Sequence, residues 1–267
     1  MIALLLQTGE FVRRVVTESG QTLVLLFRAV RFIGSVPRQL RTIVWLMYQY
    51  GVRSLPVTSV VALFTGMIFA LQTGIELARL GQQESVGTLV AVVMCREMGP
   101  FITGLILAAC VGSAIAAELA TMKVSEEVDA LEVMSIPPER FLVLPRLLAV
   151  AIITPLITVL TSLIGVMGGA LVASLQLHVS YTRYFRSALD ALRYLDDVFN
   201  LPKDIYTGLF KSFVFGIIIA AIGCGQGLRA RGGALGVGRA TRLAVVNAFL
   251  LIIVSSYVLT ALFYRSQ

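Results

Sequence analysis

The sequence predicts an all-α, polytopic membrane protein: an N-terminal interfacial amphipathic helix, five transmembrane helices, and a short cytoplasmic helix between the second and third spans. Three observations predict it. Apolar residues make up 57% of the 267 and charged residues only 14%, against about 25% charged in an ordinary soluble domain. Charge-free runs near the ~20 residues that a spanning helix needs recur along the chain. Segments rich in Lys and Arg alternate with those runs. The net charge of +7 does not indicate a nucleic-acid partner, because the 22 Lys and Arg are scattered between apolar stretches. The same composition excludes a soluble enzyme, disorder and a disulfide scaffold.

The elements follow in order. Leu23 to Ile33 is apolar but interrupted by Arg28 and Arg31 and flanked by Arg13, Arg14, Arg38 and Arg41. This pattern suits a helix lying in the interface, with Arg side chains reaching headgroups. Met1 to Leu6 is too short for the apolar region of a signal peptide. Between Arg53 and Glu76 lie 22 uncharged residues, between Glu97 and Glu118 lie 20, and between Arg146 and Arg183 lie 36, broken only by His178. Between Lys211 and Arg229 lie 17, and between Arg242 and Arg265 lie 22. The expected spans are about 54–75, 87–119, 144–177, 207–228 and 243–264. The 36-residue run has no polar turn cluster, so one long helix is expected there.

Orientation follows from the basic residues. The N-terminal segment, the segment from Glu118 to Arg146 and the loop from Arg229 to Arg242 share one side and carry 14 Lys and Arg. The other side carries seven. This places the N-terminus in the cytoplasm and the C-terminus outside.

Two cytoplasmic segments invite function. Ser125 to Ile136 has Ser125 as a candidate N-cap, Glu126, Glu127 and Asp129 in the first turn, and Pro137-Pro138 as a stop. Val124, Val128, Leu131 and Met134 fall on one face. An acidic amphipathic helix fits a protein partner better than an anionic membrane surface. The Gly- and Arg-rich loop from Arg229 to Arg242 contains no Lys, so it lacks the Gly-Lys-Ser/Thr of a phosphate-binding loop. An ATP-driven process would therefore need its ATPase, with ATP and Mg, on another chain; no cofactor is expected in this one.

Within the spans, Arg96 and Glu97 interrupt an apolar stretch from Val86 to Ala117 that is about 48 Å long as a helix. Gly99-Pro100 can kink it. Charges at membrane depth are costly and mark cavities or partners. The pair reads either as snorkelling interfacial groups or as a polar feature on a substrate path. Gly165/Gly169, Gly223/Gly227 and the Ala108, Gly112, Ala116, Ala120 stripe permit close helix packing. Cys95, Cys110 and Cys224 lack metal-type spacing and read as small helix residues. His178 sits where the third span exits, which disfavours an intramembrane Ser–His hydrolase.

Taken together, Arg96-Glu-Met-Gly-Pro100, Gly112-Ser-Ala-Ile-Ala-Ala-Glu118, Met122, Glu126-Glu-Val-Asp-Ala-Leu-Glu-Val-Met134, Pro145-Arg146, Gly168-Gly169 and Gly238-Arg-Ala-Thr241 resemble the MlaE/YrbE permeases. These are the membrane subunits of ABC systems that work with MCE proteins. The resemblance covers roughly Gln49 to Tyr264, giving residues 1–48 as an N-terminal region and 49–267 as the permease domain. It implies a homodimer in the bacterial inner membrane, each copy docking an ABC ATPase through Ser125, Glu126, Glu127, Val128, Asp129, Leu131, Glu132 and Met134, with Arg239 facing the ATPase side. It implies phospholipid transport between that membrane and an MCE-domain protein, and a STAS-domain regulator as a further partner. By motif match, Met67, Leu71 and Gln72, with Arg96 and Glu97, are the candidates to line the lipid path. The competing readings are a self-contained secondary transporter, which would need coupling charges or inverted repeats, and a non-transporting scaffold.

Overall fold

The computed structural model describes residue 17, residues 20–193 and residues 202–265. The described residues form α1 (residues 20–31), α2 (Val36–Arg79), α3 (Gln83–Val124), α4 (Glu127–Val133), α5 (Glu139–Gln176), α6 (Tyr181–Leu192), α7 (Lys203–Gly227) and α8 (Gly233–Tyr264). Five of them, namely α2, α3, α5, α7 and α8, are long and apolar enough to cross a membrane. The 36-residue run is indeed one helix. The expected boundary at residues 48 and 49 falls inside α2.

The spans are unequal. At 1.5 Å per residue α2, α3 and α5 are about 66, 63 and 57 Å long, whereas α7 is about 38 Å. The hydrocarbon core is about 30 Å thick, so the three long helices must project beyond it. Two apolar cores result. The main core gathers Leu107, Val111, Ile115 and Leu119 of α3, Val150 and Ile157 of α5, Phe215 and Ile219 of α7, and Ala244, Ala248 and Ile252 of α8. The second core sits where α2, α3 and α5 outrun α7 and α8. It comprises Ala70, Val86, Val90, Met94, Ala170, Val172, Ala173 and Tyr184, the last from α6.

The seam between α2 and α5 explains how helices this long stay parallel. α2 buries a stripe of small residues, Gly51, Ser54, Thr58, Ala62, Gly66, Ala70 and Gly74. A Cβ on Gly66 would lie 1.9 Å from the Gly165 carbonyl oxygen, and one on Gly168 would lie 2.4 Å from that of Leu63. The two backbones therefore touch, as small-residue repeats permit.

Turn chemistry closes the helices. Gly81 takes φ +69°, with Gln82 N donating to Leu77 O at 2.9 Å and Gly81 N to Ala78 O at 3.1 Å. This paired closure needs a left-handed residue, and Gly supplies it at no steric cost. His178 serves the same purpose after α5, with φ 54°.

Several expectations are corrected. Ser125 does not cap α4: it ends α3, and the residue before α4 is Glu126, left-handed at φ 62° with no side-chain cap. Pro137-Pro138 do not stop α4. Ser135 does, at φ 59°, with Ile136 N reaching back to Leu131 O at 2.9 Å, and the prolines lead into α5. The α4 stripe is broken as well, because Val128 is buried and Leu131 half-buried whereas Met134 is 67% exposed. The Gly-rich loop is short, since α8 already begins at Gly233. α6 is an element that the charge-run reading did not register. In α1, Arg28 pairs with Glu139 at 3.4 Å, Ala29 is buried, and Leu23 and Phe27 are exposed. Arg13, Arg14 and Met1 to Leu6 lie outside the described residues.

Candidate functional site

The site begins at a wide turn in α3. Residues Met94–Met98 are π-helical, so the Gly99 N–H reaches Met94 O. Pro100 follows and has no N–H to return to the carbonyl of Arg96. Both strained carbonyls find side-chain donors on other helices. Ser162 of α5 donates to Met94 O at 3.2 Å, and Lys211 of α7 donates to Arg96 O at 3.3 Å. π-Turns of this kind often mark functional positions.

Lys211 is fully buried. Its ammonium donates to the Glu97 carboxylate, to Thr260 Oγ1 at 2.9 Å and to the Arg96 carbonyl, which uses its three N–H groups. Glu97 also accepts from Thr260 at 2.8 Å and from Ser256 at 3.4 Å, both on α8. A buried charge is tolerated only when paired and hydrogen-bonded in this way. Arg96 turns away from Glu97. Its guanidinium donates to Asp204 Oδ1 at 2.7 Å and lies 4.2 Å from the centre of the Tyr264 ring. The Tyr264 hydroxyl donates to the same carboxylate at 2.9 Å. Adjacent charges in the sequence thus join two separate clusters that tie α3 to both α7 and α8. At this level α7 begins and α8 ends.

Lys211 is the residue that the sequence reading missed. Counting charge-free runs made it a border, but it lies eight positions inside α7. Extending the run to Lys203 would have exposed it as a lone cation within a span. Of the expected path residues, Met67 and Leu71 pack against the second core and Gln72 is exposed.

At the opposite end of the bundle, α4 presents Glu127, Asp129 and Glu132, with Val133 86% exposed. Asp129 is paired with Lys123. Glu118, near the end of α3, and Arg146, near the start of α5, lie 3.2 Å apart and so join the two helices that flank α4. Arg239 is exposed at the same end, where Ala240 packs with Ala120.

A third feature is an apolar cavity of about 300 Å³ between α5, α6 and α7. α6 is held there by Tyr184, whose hydroxyl donates to Val166 O at 3.1 Å. A Cβ on Gly87 would lie 2.4 Å from Tyr184 O, so α3 and α6 are in backbone contact. Burial pushes the Tyr184 phenol above its usual pKa, which keeps it a hydrogen-bond donor.

Residues 43–262 match the family described as Permease MlaE. The chain belongs to the MlaE permease family. A probable ABC transporter permease protein of Rickettsia prowazekii is 41% identical over 239 residues, covering 90% of this chain and 89% of the relative. A Synechocystis protein with the same description is 36% identical over 219 residues, covering 82% and 80%. The chloroplast protein TRIGALACTOSYLDIACYLGLYCEROL 1 of Arabidopsis thaliana is 37% identical over 215 residues, covering 80% of this chain and 59% of its own. As an MlaE-family permease the chain is a multi-pass membrane transport subunit.

Proposed function

We propose that this permease moves phospholipid, or a related lipid, between the bacterial inner membrane and an MCE-domain protein, driven by a separate ABC ATPase. The observation that carries the reading is the Lys211–Glu97 pair, with the lysine fully buried, inside a largely apolar bundle. Paired charges at membrane depth serve polar cargo, and a lipid needs an apolar wall with a few polar contacts. A name built on the lipid trigalactosyldiacylglycerol for one relative supports the same class of substrate.

The ATPase docks at α4, through Glu127, Glu132, Val133 and the exposed Met134, with Arg239 beside them. Movement of α4 reaches α3 and α5 together through the Glu118–Arg146 link, as a rigid-body shift. The permease acts as a homodimer. α8 supports this, because its most apolar stretch is only 17% buried, against 50% or more in α3, α5 and α7. α4 and the N-terminus face the cytoplasm, α6 and the C-terminus the periplasm. A STAS-domain regulator completes the assembly. The experiment is to purify the chain with the products of its neighbouring genes and identify what co-purifies. An ATPase and bound phospholipid are expected; a chain that isolates with neither overturns the proposal.

A further inference from the structure

Among the described residues four buried side-chain atoms have no hydrogen-bond partner, and two of them are Tyr50 Oη and Arg146 Nε. These two side chains face each other between α2 and α5, at the α4 end of the bundle. Tyr50 is 4% exposed and belongs to the main core. A hydroxyl buried in apolar surroundings without a partner is costly. Arg146 is not free to turn towards it. Its Nη1 donates to Leu142 O at 2.9 Å and its Nη2 to Glu118 Oε2 at 3.2 Å. Both arms of the planar fork are therefore fixed, and the Nε–H is left over.

Glu118 on α3 and Cys224 on α7 stand within electrostatic reach of the same phenol. Four helices thus surround one polar point. Its charges are already balanced, the Arg146 guanidinium against the Glu118 carboxylate, so the point does not call for an ion. It calls for a small neutral group that accepts from the Nε–H, bonds the phenol hydroxyl and donates onward to the carboxylate. Water does all three, and a buried water typically has about three polar partners of this kind.

We infer that the junction of α2, α3, α5 and α7 is a binding site for an ordered water, held by Arg146 Nε and the Tyr50 hydroxyl beside Glu118. Through this water α2 is joined to the Glu118–Arg146 link between α3 and α5. A water bridge is nearly as favourable as a direct hydrogen bond, and it can be remade when the helices shift without a side chain changing partners. The site exists whether or not the chain moves lipid, so its failure leaves the transport reading untouched.

The test is X-ray radiolysis of the full-length chain in nanodiscs of phosphatidylethanolamine and phosphatidylglycerol. Radiolysis turns a bound water into a hydroxyl radical in place, and the oxidised side chains are then mapped by peptide mass spectrometry. Tyr184 is the internal control, a fully buried phenol whose hydroxyl is already bonded to Val166 O. Tyr50 is expected to oxidise several times faster than Tyr184. Arg146→Lys keeps a cation beside Glu118 but has no Nε–H. It should lower Tyr50 oxidation about fivefold, the scale of one hydrogen bond, with Tyr184 unchanged as the sign of an intact fold. Tyr50→Phe removes the other partner and should lower the unfolding midpoint in detergent by about 2–4 °C. Oxidation of Tyr50 no faster than that of Tyr184 overturns the site, and with a lowered Tyr50→Phe midpoint it replaces the water by a direct phenol–guanidinium bond. A raised Tyr50→Phe midpoint overturns it too, because the hydroxyl is then without any partner. Tyr50 oxidation that Arg146→Lys leaves unchanged overturns Arg146 as the group that holds the water.

Discussion

The main core and the second core share α2, α3 and α5 and are completed by different helices. In the main core α3, α5, α7 and α8 interleave large branched side chains, and the polar Lys211–Glu97 cluster is sealed at its upper edge. In the second core α7 and α8 are gone. Their place is taken by α6, a 12-residue helix fixed by Tyr184, by the close approach at Gly87 and by the Thr88–Ser187 hydrogen bond of 3.2 Å. The first region is stabilised by interleaved branched side chains and by the Lys211–Glu97 ion pair. The second relies on close packing of smaller residues against a short, mostly polar helix. A substitution should therefore cost most where charge is buried and least where it is solvated.

The largest effect belongs to Lys211→Ala, which strands the Glu97 carboxylate. Breaking a buried pair from one side costs about 3–5 kcal/mol, and the 28% exposure of Glu97 puts this loss at or below the lower end. Thermal unfolding in detergent should show it, and Lys211→Met combined with Glu97→Gln should recover much of the loss. Next comes Gly66→Leu. Its first carbon alone would meet the Gly165 carbonyl oxygen at 1.9 Å, so α2 and α5 must separate along the whole seam, at about 1–3 kcal/mol or more. Both cores should loosen together, visible as faster amide exchange in each. Tyr184→Phe removes one hydrogen bond to Val166 O, worth about 1 kcal/mol. Its exchange signature should stay within α6 and the adjoining ends of α3 and α5. The smallest effect is Arg79→Ala. Its pair with Glu76 leaves both side chains about 70% exposed, and such pairs contribute about 0–1 kcal/mol; the unfolding midpoint should scarcely move.

The division between the cores also marks what could be read in the sequence. Apolar periodicity and charge-free length report long apolar helices, and the five spans and the single helix after Arg146 were legible in them. α6 was not, because a short helix of ordinary mixed composition leaves no charge-free run, here two arginines and an aspartate among its residues Tyr181–Leu192. Lys211 was hidden for a related reason. The charge-free run begins only after Lys211, although the expected span 207–228 contains it, and three donors placed on three acceptors let the charge sit inside the helix. The ends of α4 differ from expectation because left-handed backbone at Glu126 and Ser135 carries no residue-type signal.

The proposed coupling has an ATPase at α4 moving lipid past the Lys211–Glu97 cluster at the other end of the bundle. Its most direct measurement is ATP-dependent transfer of phospholipid by the reconstituted complex, comparing the wild-type chain with E127K/E132K. Both positions are exposed, so the fold should survive the reversal. The variant is expected to lose ATPase co-purification and transfer together. Undiminished transfer by a folded E127K/E132K chain would contradict it.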